Sequence, residues 1–220
     1  MKLKHIAGVF IALLLAKFLW PLFRFDIPMG YDPGIYRYLF IQYEQALTTF
    51  SLPELLPWAG EHPPGLFLVG AVLMKLGASV DSLLGIFWNL TPIALAGVLA
   101  WVTGKRLGVK TGVLVLLVAV LSQAYFDGFY AMYFKAYIAL LFVCLTYFFV
   151  DKFSPWFLLT ALLTVVIHHQ TGMVMAIALG VWWIAKFPSQ RNCKAYQLYS
   201  LGIVCIAALG LLVYLPHFER

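Results

Sequence analysis

Apolar residues come along this chain in long blocks, not in alternation, and short polar stretches separate the blocks. Seven blocks read as membrane-crossing helices: Ile6–Phe23, Leu83–Thr103, Thr111–Phe126, Tyr130–Val150, Pro155–His168, Thr171–Phe187 and Leu198–Leu215. Several fall short of the ~20 residues that a spanning helix usually needs. An eighth block, Leu66–Leu76, is shorter still. As a helix it would rise only about 16 Å, roughly half the hydrocarbon thickness. It belongs to EHPPGLFLVGAVLMKLG, Glu61–Gly77, whose proline pair suits a helix start, where backbone donors need no partner. A second helix is predicted over PGIYRYLFIQYEQALTTF, Pro33–Phe50, rich in the tyrosine and phenylalanine that favour a headgroup zone. Both lie in one long loop, 24–82.

Composition turns this pattern into a class. Of 220 residues, 63% are hydrophobic and only 11% charged, more apolar surface than a soluble domain of this length can bury. The predicted fold is an all-α integral membrane protein, one membrane domain over residues 1–220. The formal charge of +6 therefore reports topology, not nucleic acid. Cys144, Cys193 and Cys205 show no metal-ligand spacing and read as small buried hydrophobes. The start, MKLKHIAGVFIALLLAKFLW, resembles a signal peptide, but Lys17, Phe18, Leu19, Trp20 and Pro21 stand where a small-residue cleavage site would be, so an uncleaved first span is expected.

Cations then choose the topology. If Leu66–Leu76 does not cross and the N-terminus is cytoplasmic, Lys2, Lys4, Lys105, Arg106, Lys110, Lys152, Lys186, Arg191 and Lys194 all fall inside, nine of the fifteen Lys and Arg. If it crosses, Lys105, Arg106, Lys110, Lys186, Arg191 and Lys194 move outside. The positive-inside rule prefers the first arrangement, with the opening stretch lying along or dipping into the outer interface. Asp26, Asp32, Glu44, Glu54, Glu61, Asp81, Asp127 and Glu219 then face outward, and only Asp151 inward. That skew marks either a chemically active outer face or simply the one long loop, since spans exclude acids anyway. A loop this long is itself a functional candidate.

Four outer positions could carry chemistry. Asp32, in MGYDPGIYRY, reads as an N-cap worth about 1 kcal/mol, or as a general base or metal ligand. Glu61 and His62 precede Pro63–Pro64 and read as a polar helix start, or as an anion or metal site. Asp127, in QAYFDGFYAMYFK, reads as a tight Asp-Gly turn; Lys135 follows about two helical turns inside the next span, where it must snorkel, pair or reach a phosphate. His168 and His169, in VVIHHQTGM, close a span; neighbouring helix positions point about 100° apart, so one could face a pocket and the other the headgroups.

This layout resembles the GT-C superfamily of integral-membrane glycosyltransferases, which includes protein mannosyltransferases and lipid A aminoarabinose transferases. The likeness rests on one span leading into a long outer loop, then GYDPGIY, EHPPGLF, a span ending VTGKRLG, the outer acid Asp127 and the segment HHQTG. The resemblance implies a sugar donated from a polyprenyl phosphate on the outer face of the plasma membrane, with inversion at the anomeric carbon. Asp32 would be the base that activates the acceptor, and Asp127 the second acidic position. Glu61 and His62 would stand where family members hold the donor phosphate, helped by Arg37, Lys135, His168 and His169. A divalent ion, Mg or Mn, would sit with Asp32, Asp127 and Glu61. Implied partners are the bilayer, the lipid-linked sugar, an acceptor and a partner subunit. Family members continue with further spans where this chain reads LPHFER, so a fragment, a minimal enzyme or one half of a complex is expected. Two other readings share the same features: a lipid-binding or transport module without catalysis, and a structural subunit whose polar residues are only caps.

Overall fold

The computed structural model describes residues 3–25, 33–131, 134–152 and 154–218, with backbone alone at 152 and 213–218. The described residues form helices and connecting turns and no strand. In order they are α1 (Leu3–Arg24), α2 (Pro33–Thr49), α3 (Gly65–Lys75), α4 (Val80–Ser82), α5 (Trp88–Leu107), α6 (Val109–Leu121), α7 (Gln123–Tyr130), α8 (Phe134–Phe149), α9 (Pro155–Ile167), α10 (His169–Gln190) and α11 (Lys194–Phe218). A π turn over Leu83–Phe87 joins α4 to α5, making one 28-residue rod.

Four helices among the described residues are long and apolar enough to cross a membrane: α1, the α4–α5 rod, α10 and α11. The α6–α7 pair, bent by 62°, would make a fifth. Helix lies in each of the seven predicted blocks, but Thr111–Phe126 is broken at the extended Ser122, and α8 and α9 have only 16 and 13 residues. They rise about 24 and 20 Å, less than the ~30 Å of a hydrocarbon core. The reason lies in their ends: residues that the apolar pattern assigned to the spans are used in α7, in the Val150–Lys152 turn and in the extended His168.

Polarity is inverted relative to a soluble protein. Outward-facing residues of α10 include Met173, Val174, Ile177, Val181 and Ile184, and those of α11 include Leu198, Leu201, Val204, Leu211 and Leu212. Asn89, Thr146, Thr160 and Thr164 are buried instead. Thr146 Oγ1 donates to Thr160 Oγ1 at 2.9 Å inside the α8–α9 contact. A surface this apolar is stable against lipid, not water, and the hydroxyls of Thr146, Thr160 and Thr164 are each hydrogen-bonded.

Close helix contacts depend on small residues. A Cβ at Gly112 of α6 would lie 2.5 Å from the Ala100 carbonyl oxygen of α5, so only glycine permits that approach. Phe18 of α1 is fully buried among Tyr125, Phe126, Phe129 and Tyr130. A second apolar cluster joins α9, α10 and α11 around Phe157, Trp183 and Tyr196, where Tyr196 donates to the Trp183 carbonyl and Trp183 to Ser200.

Two polar ends result. At one, Arg106 at the foot of α5 donates to the Tyr147 carbonyl and to Asp151 at the foot of α8. At the other, the start of α3 abuts Val166 at the head of α9, and His62 meets Lys135 at the head of α8. Helices α2 and α3 run side by side and parallel, matching Tyr36 to Phe67, Phe40 to Gly70 and Glu44 to Lys75. Beyond α3, Asp81 pairs with Arg37, the fifth residue of α2.

Candidate functional site

The polar end around His62 is built from four segments. A short turn, Ala59–Glu61, precedes His62, whose own N–H donates to the Ala59 carbonyl at 3.2 Å. The following proline disfavours helical backbone at His62, which adopts φ −86° and ψ 128°. That extended residue brings its ring between Tyr36 of α2 and Phe67 of α3, at centroid distances of 6.0 and 6.2 Å.

Lys135 is the second residue of α8, and its ammonium lies 2.7 Å from His62 Nδ1. With the ammonium donating, Nδ1 is the bare nitrogen and Nε2 carries the proton. The same ammonium lies 5.7 Å from the centre of the buried Tyr36 ring, within cation–π range. Burial, and then the neighbouring ammonium, hold the His62 imidazole down to about 4, so it is neutral at pH 7.

His168 interrupts the chain between α9 and α10 with extended backbone, φ −147° and ψ 110°. Its Nδ1 accepts from the Thr171 N–H at 3.3 Å and from the Thr171 hydroxyl at 2.7 Å, capping α10. This fixes the proton on Nε2 here too. The charge of Lys135 also reaches His168, and the His168 and His169 rings lie 5.6 Å apart. The cluster is thus one ammonium among neutral imidazoles that present N–H donors. Such a group favours an anion with several acceptor oxygens.

An apolar, partly open cavity of about 360 Å³ lies between α3, α5, α8 and α9. Leu66, Trp88, Ile138, Leu141, Leu163 and Ile167 are among its lining residues. Leu66 follows the His62-Pro-Pro turn by two positions, and Ile167 directly precedes His168. Along the chain the cavity wall thus comes within one residue of His168 and, through Ile138, within one helical turn of Lys135, although neither side chain lines it.

The other expected residues are distributed elsewhere, with one outside view. Asp32 lies outside the described residues. Arg37 is exposed and paired with Asp81. Glu61 is exposed at the end of its turn, one residue before His62. Asp127 is not in a tight turn: Ser122 caps α7 by accepting from the Tyr125 N–H at 3.0 Å, and the helix continues through Asp127–Gly128. There Asp127 accepts from Gln123 Nε2 at 2.7 Å, one turn earlier. Lys135 is not two turns inside a span, because α7 runs to Tyr130 and is capped by Ala131, four residues before it. Among the described residues, no three His, Cys, Asp or Glu are grouped to hold a metal ion.

Sequence reading passed over Tyr36, the aromatic floor under Lys135, and Thr171, which orients His168. Tyr36 lies four residues after Asp32 on a predicted helix, a spacing that could have singled it out from its neighbouring aromatics. Comparison of the chain with family models, with curated proteins and with solved structures yields no match.

Proposed function

We propose that this chain is a membrane glycosyltransferase of the GT-C kind, taking its sugar from a polyprenyl phosphate on the extracytoplasmic face. One observation supports this most: Lys135, His62 and His168 form an ammonium–imidazole cluster, and residues close to them in the chain, Leu66, Ile138 and Ile167, line an apolar cavity. A lipid phosphate has the matching form, an anionic group on a long aliphatic chain. Lys135 would meet the phosphate charge, with His62 and His168 donating from Nε2. The cavity would take the first isoprene units.

In the proposed step the acceptor hydroxyl oxygen bonds to the anomeric carbon. The bond from that carbon to the phosphate oxygen breaks, and its electron pair leaves with the lipid phosphate. The hydroxyl proton passes to the carboxylate of Asp32. Asp127 would be the second acid near the reacting centre. The orientation, with the N-terminus cytoplasmic and the His62 end outside, draws on Lys105, Arg106, Lys110, Lys186, Arg191 and Lys194 flanking the opposite helix ends.

The test is transfer in proteoliposomes from a radiolabelled polyprenyl-phosphate sugar to a hydroxyl acceptor. Asp32→Asn is expected to abolish transfer while lipid binding persists. Wild-type turnover in Asp32→Asn would overturn the assignment. A second reading, a lipid-binding or transport module, rests on the same cluster and cavity. It predicts headgroup movement across the vesicle with no change in covalent structure.

A further inference from the structure

Lys17 occupies a position that the membrane physics of α1 makes costly. It lies seven residues before the end of α1, about 10 Å along the axis. A lysine at such depth usually extends its side chain to the nearer interface. Long side chains on a helix lean towards its N-terminus, here away from that interface. Lys17 resolves this by a different route. Its ammonium donates to the Val120 carbonyl at 3.0 Å and to the Ser122 carbonyl at 2.9 Å.

Those two carbonyls sit at the break between α6 and α7. Helix α6 ends at Leu121, Ser122 is extended, and α7 leaves at 62°. A break of this kind strands carbonyls at the end of the first helix, where no water reaches them in a bilayer. A cation at a helix C-terminus also complements the helix dipole. The first turns of α7 are then fixed by further contacts: Ser122 Oγ accepts from the Tyr125 N–H, and Gln123 bonds Asp127. Tyr130, at the far end of α7, donates to Asn89 at 2.7 Å and reaches the Phe18 carbonyl at 3.2 Å. Phe126 stands 5.5 Å from the Lys17 ammonium, and the Asp127 charge is felt there as well. A cleft of about 500 Å³ opens beside the junction, lined by Ala16, Lys17, Trp20, Gln123 and Phe126.

We infer that Lys17 is a positioning residue: its ammonium bolts α1 to the broken α6–α7 junction and sets the direction in which α7 presents Gln123 and Phe126 at this cleft. The inference does not depend on the sugar-transfer reading. It requires only that the break be held by a charged donor instead of by packing.

The test uses the full chain in lipid nanodiscs, with Cys144, Cys193 and Cys205 replaced by alanine. Spin labels are placed at Leu13 of α1 and Ala124 of α7, both exposed. With Lys17 present, electron–electron distance measurement is expected to give one narrow distribution. Lys17→Met keeps the volume and removes the donors, and is expected to widen or shift the distribution by several ångströms. Lys17→Arg, which can serve both carbonyls, is expected to restore it. A role in packing alone would leave Met as effective as Lys, so an unchanged narrow distance in Lys17→Met overturns the inference. Lys17→Leu, which also lacks a donor, provides the same comparison where Met fails to fold. Failure of both neutral variants to accumulate, with Lys17→Arg normal, supports the inference; failure of all three counts against it. Because the readout is a distance, an absence of sugar transfer would leave this result intact.

Discussion

The two ends of the bundle each carry a cation hydrogen-bonded to a neighbouring helix, and they use it differently. At the α5–α8 foot, Arg106 is about half exposed and bonds Asp151 at 3.0 Å, with the Tyr147 carbonyl as a second acceptor. The arginine there has an opposite charge beside it. At the α3–α8 head, Lys135 lies against a neutral imidazole and a buried aromatic ring. An acid at the foot neutralises its cation. At the head, the His62 imidazole and the Tyr36 ring are among the groups that hold the cation in place. The foot is therefore suited to holding helices together, and the head to attracting something negative.

The most direct way to break this contrast is to remove each cation in turn. Lys135→Met is expected to weaken binding of a polyprenyl phosphate in nanodiscs by about 10- to 100-fold, the loss of one charge-assisted hydrogen bond of roughly 1.5–3 kcal/mol. Arg106→Met is expected to leave the same affinity within about twofold. Equal losses in the two variants, measured by titration of the labelled lipid, would erase the distinction between the ends.

Glycine substitutions sharpen it through the backbone. A Cβ at Gly65 would lie 2.5 Å from the Val166 carbonyl oxygen, so Gly65→Ala must push α3 away from α9, beside His62. The expected cost is about 1–3 kcal/mol, typical of overpacking, together with weaker lipid binding. At the foot, Gly108 links α5 to α6 with φ of +99° and open space around its Cα. Gly108→Ala would cost roughly 1–2 kcal/mol through the left-handed backbone alone and leave binding unchanged. Thermal unfolding in detergent with and without the lipid separates the two.

Much of the helical frame was legible in the pattern of apolar blocks, because a run of Leu, Val and Ile can bury its backbone polar groups only by closing a helix in lipid. The first loop's helices were legible for a separate reason, since Pro33 and Pro63–Pro64 mark where a helix can begin. The breaks were not. Asp127–Gly128 carries the signature of a turn, yet Ser122, five residues earlier, supplies the cap that makes α7 a helix. Local preference lost there to a capping hydroxyl and to Tyr125 and Phe129 packing on Phe18. The site was half legible: His62, Lys135 and His168 were each singled out by polar character in apolar surroundings. Their convergence depends on the parallel α2–α3 pair and on Gly65 fitting against Val166, which no spacing along the chain encodes.

Acidity offers a finer probe of the head. His62 has its imidazole held down to about 4 from an ordinary 6.5, by burial first and Lys135 second. Between those values the unfolded chain binds a proton that the folded one excludes, so stability rises with pH across that window. Unfolding midpoints are expected to be level above about pH 6.5, to fall as pH drops towards 4, and to level again below. His62→Asn should remove this part of the slope. An identical slope in His62→Asn would show that the head tolerates a charged imidazole, against the orientation assigned to Lys135.

The smallest effect belongs to the foot. Arg106 and Asp151 are each about half exposed, at 47% and 49%, where an ion pair gains little over water and is screened by salt. A double-mutant cycle with Arg106→Met and Asp151→Asn is expected to give a coupling of about 0.2–1 kcal/mol that shrinks as salt is raised. Arg106→Met alone should lose somewhat more than Asp151→Asn alone, because only the arginine also serves the Tyr147 carbonyl, at 2.6 Å. A coupling several times larger, or one indifferent to salt, would mean that this pair is shielded in the bilayer. The foot would then resemble the head in its desolvation, and only the partners of the two cations would still set the ends apart.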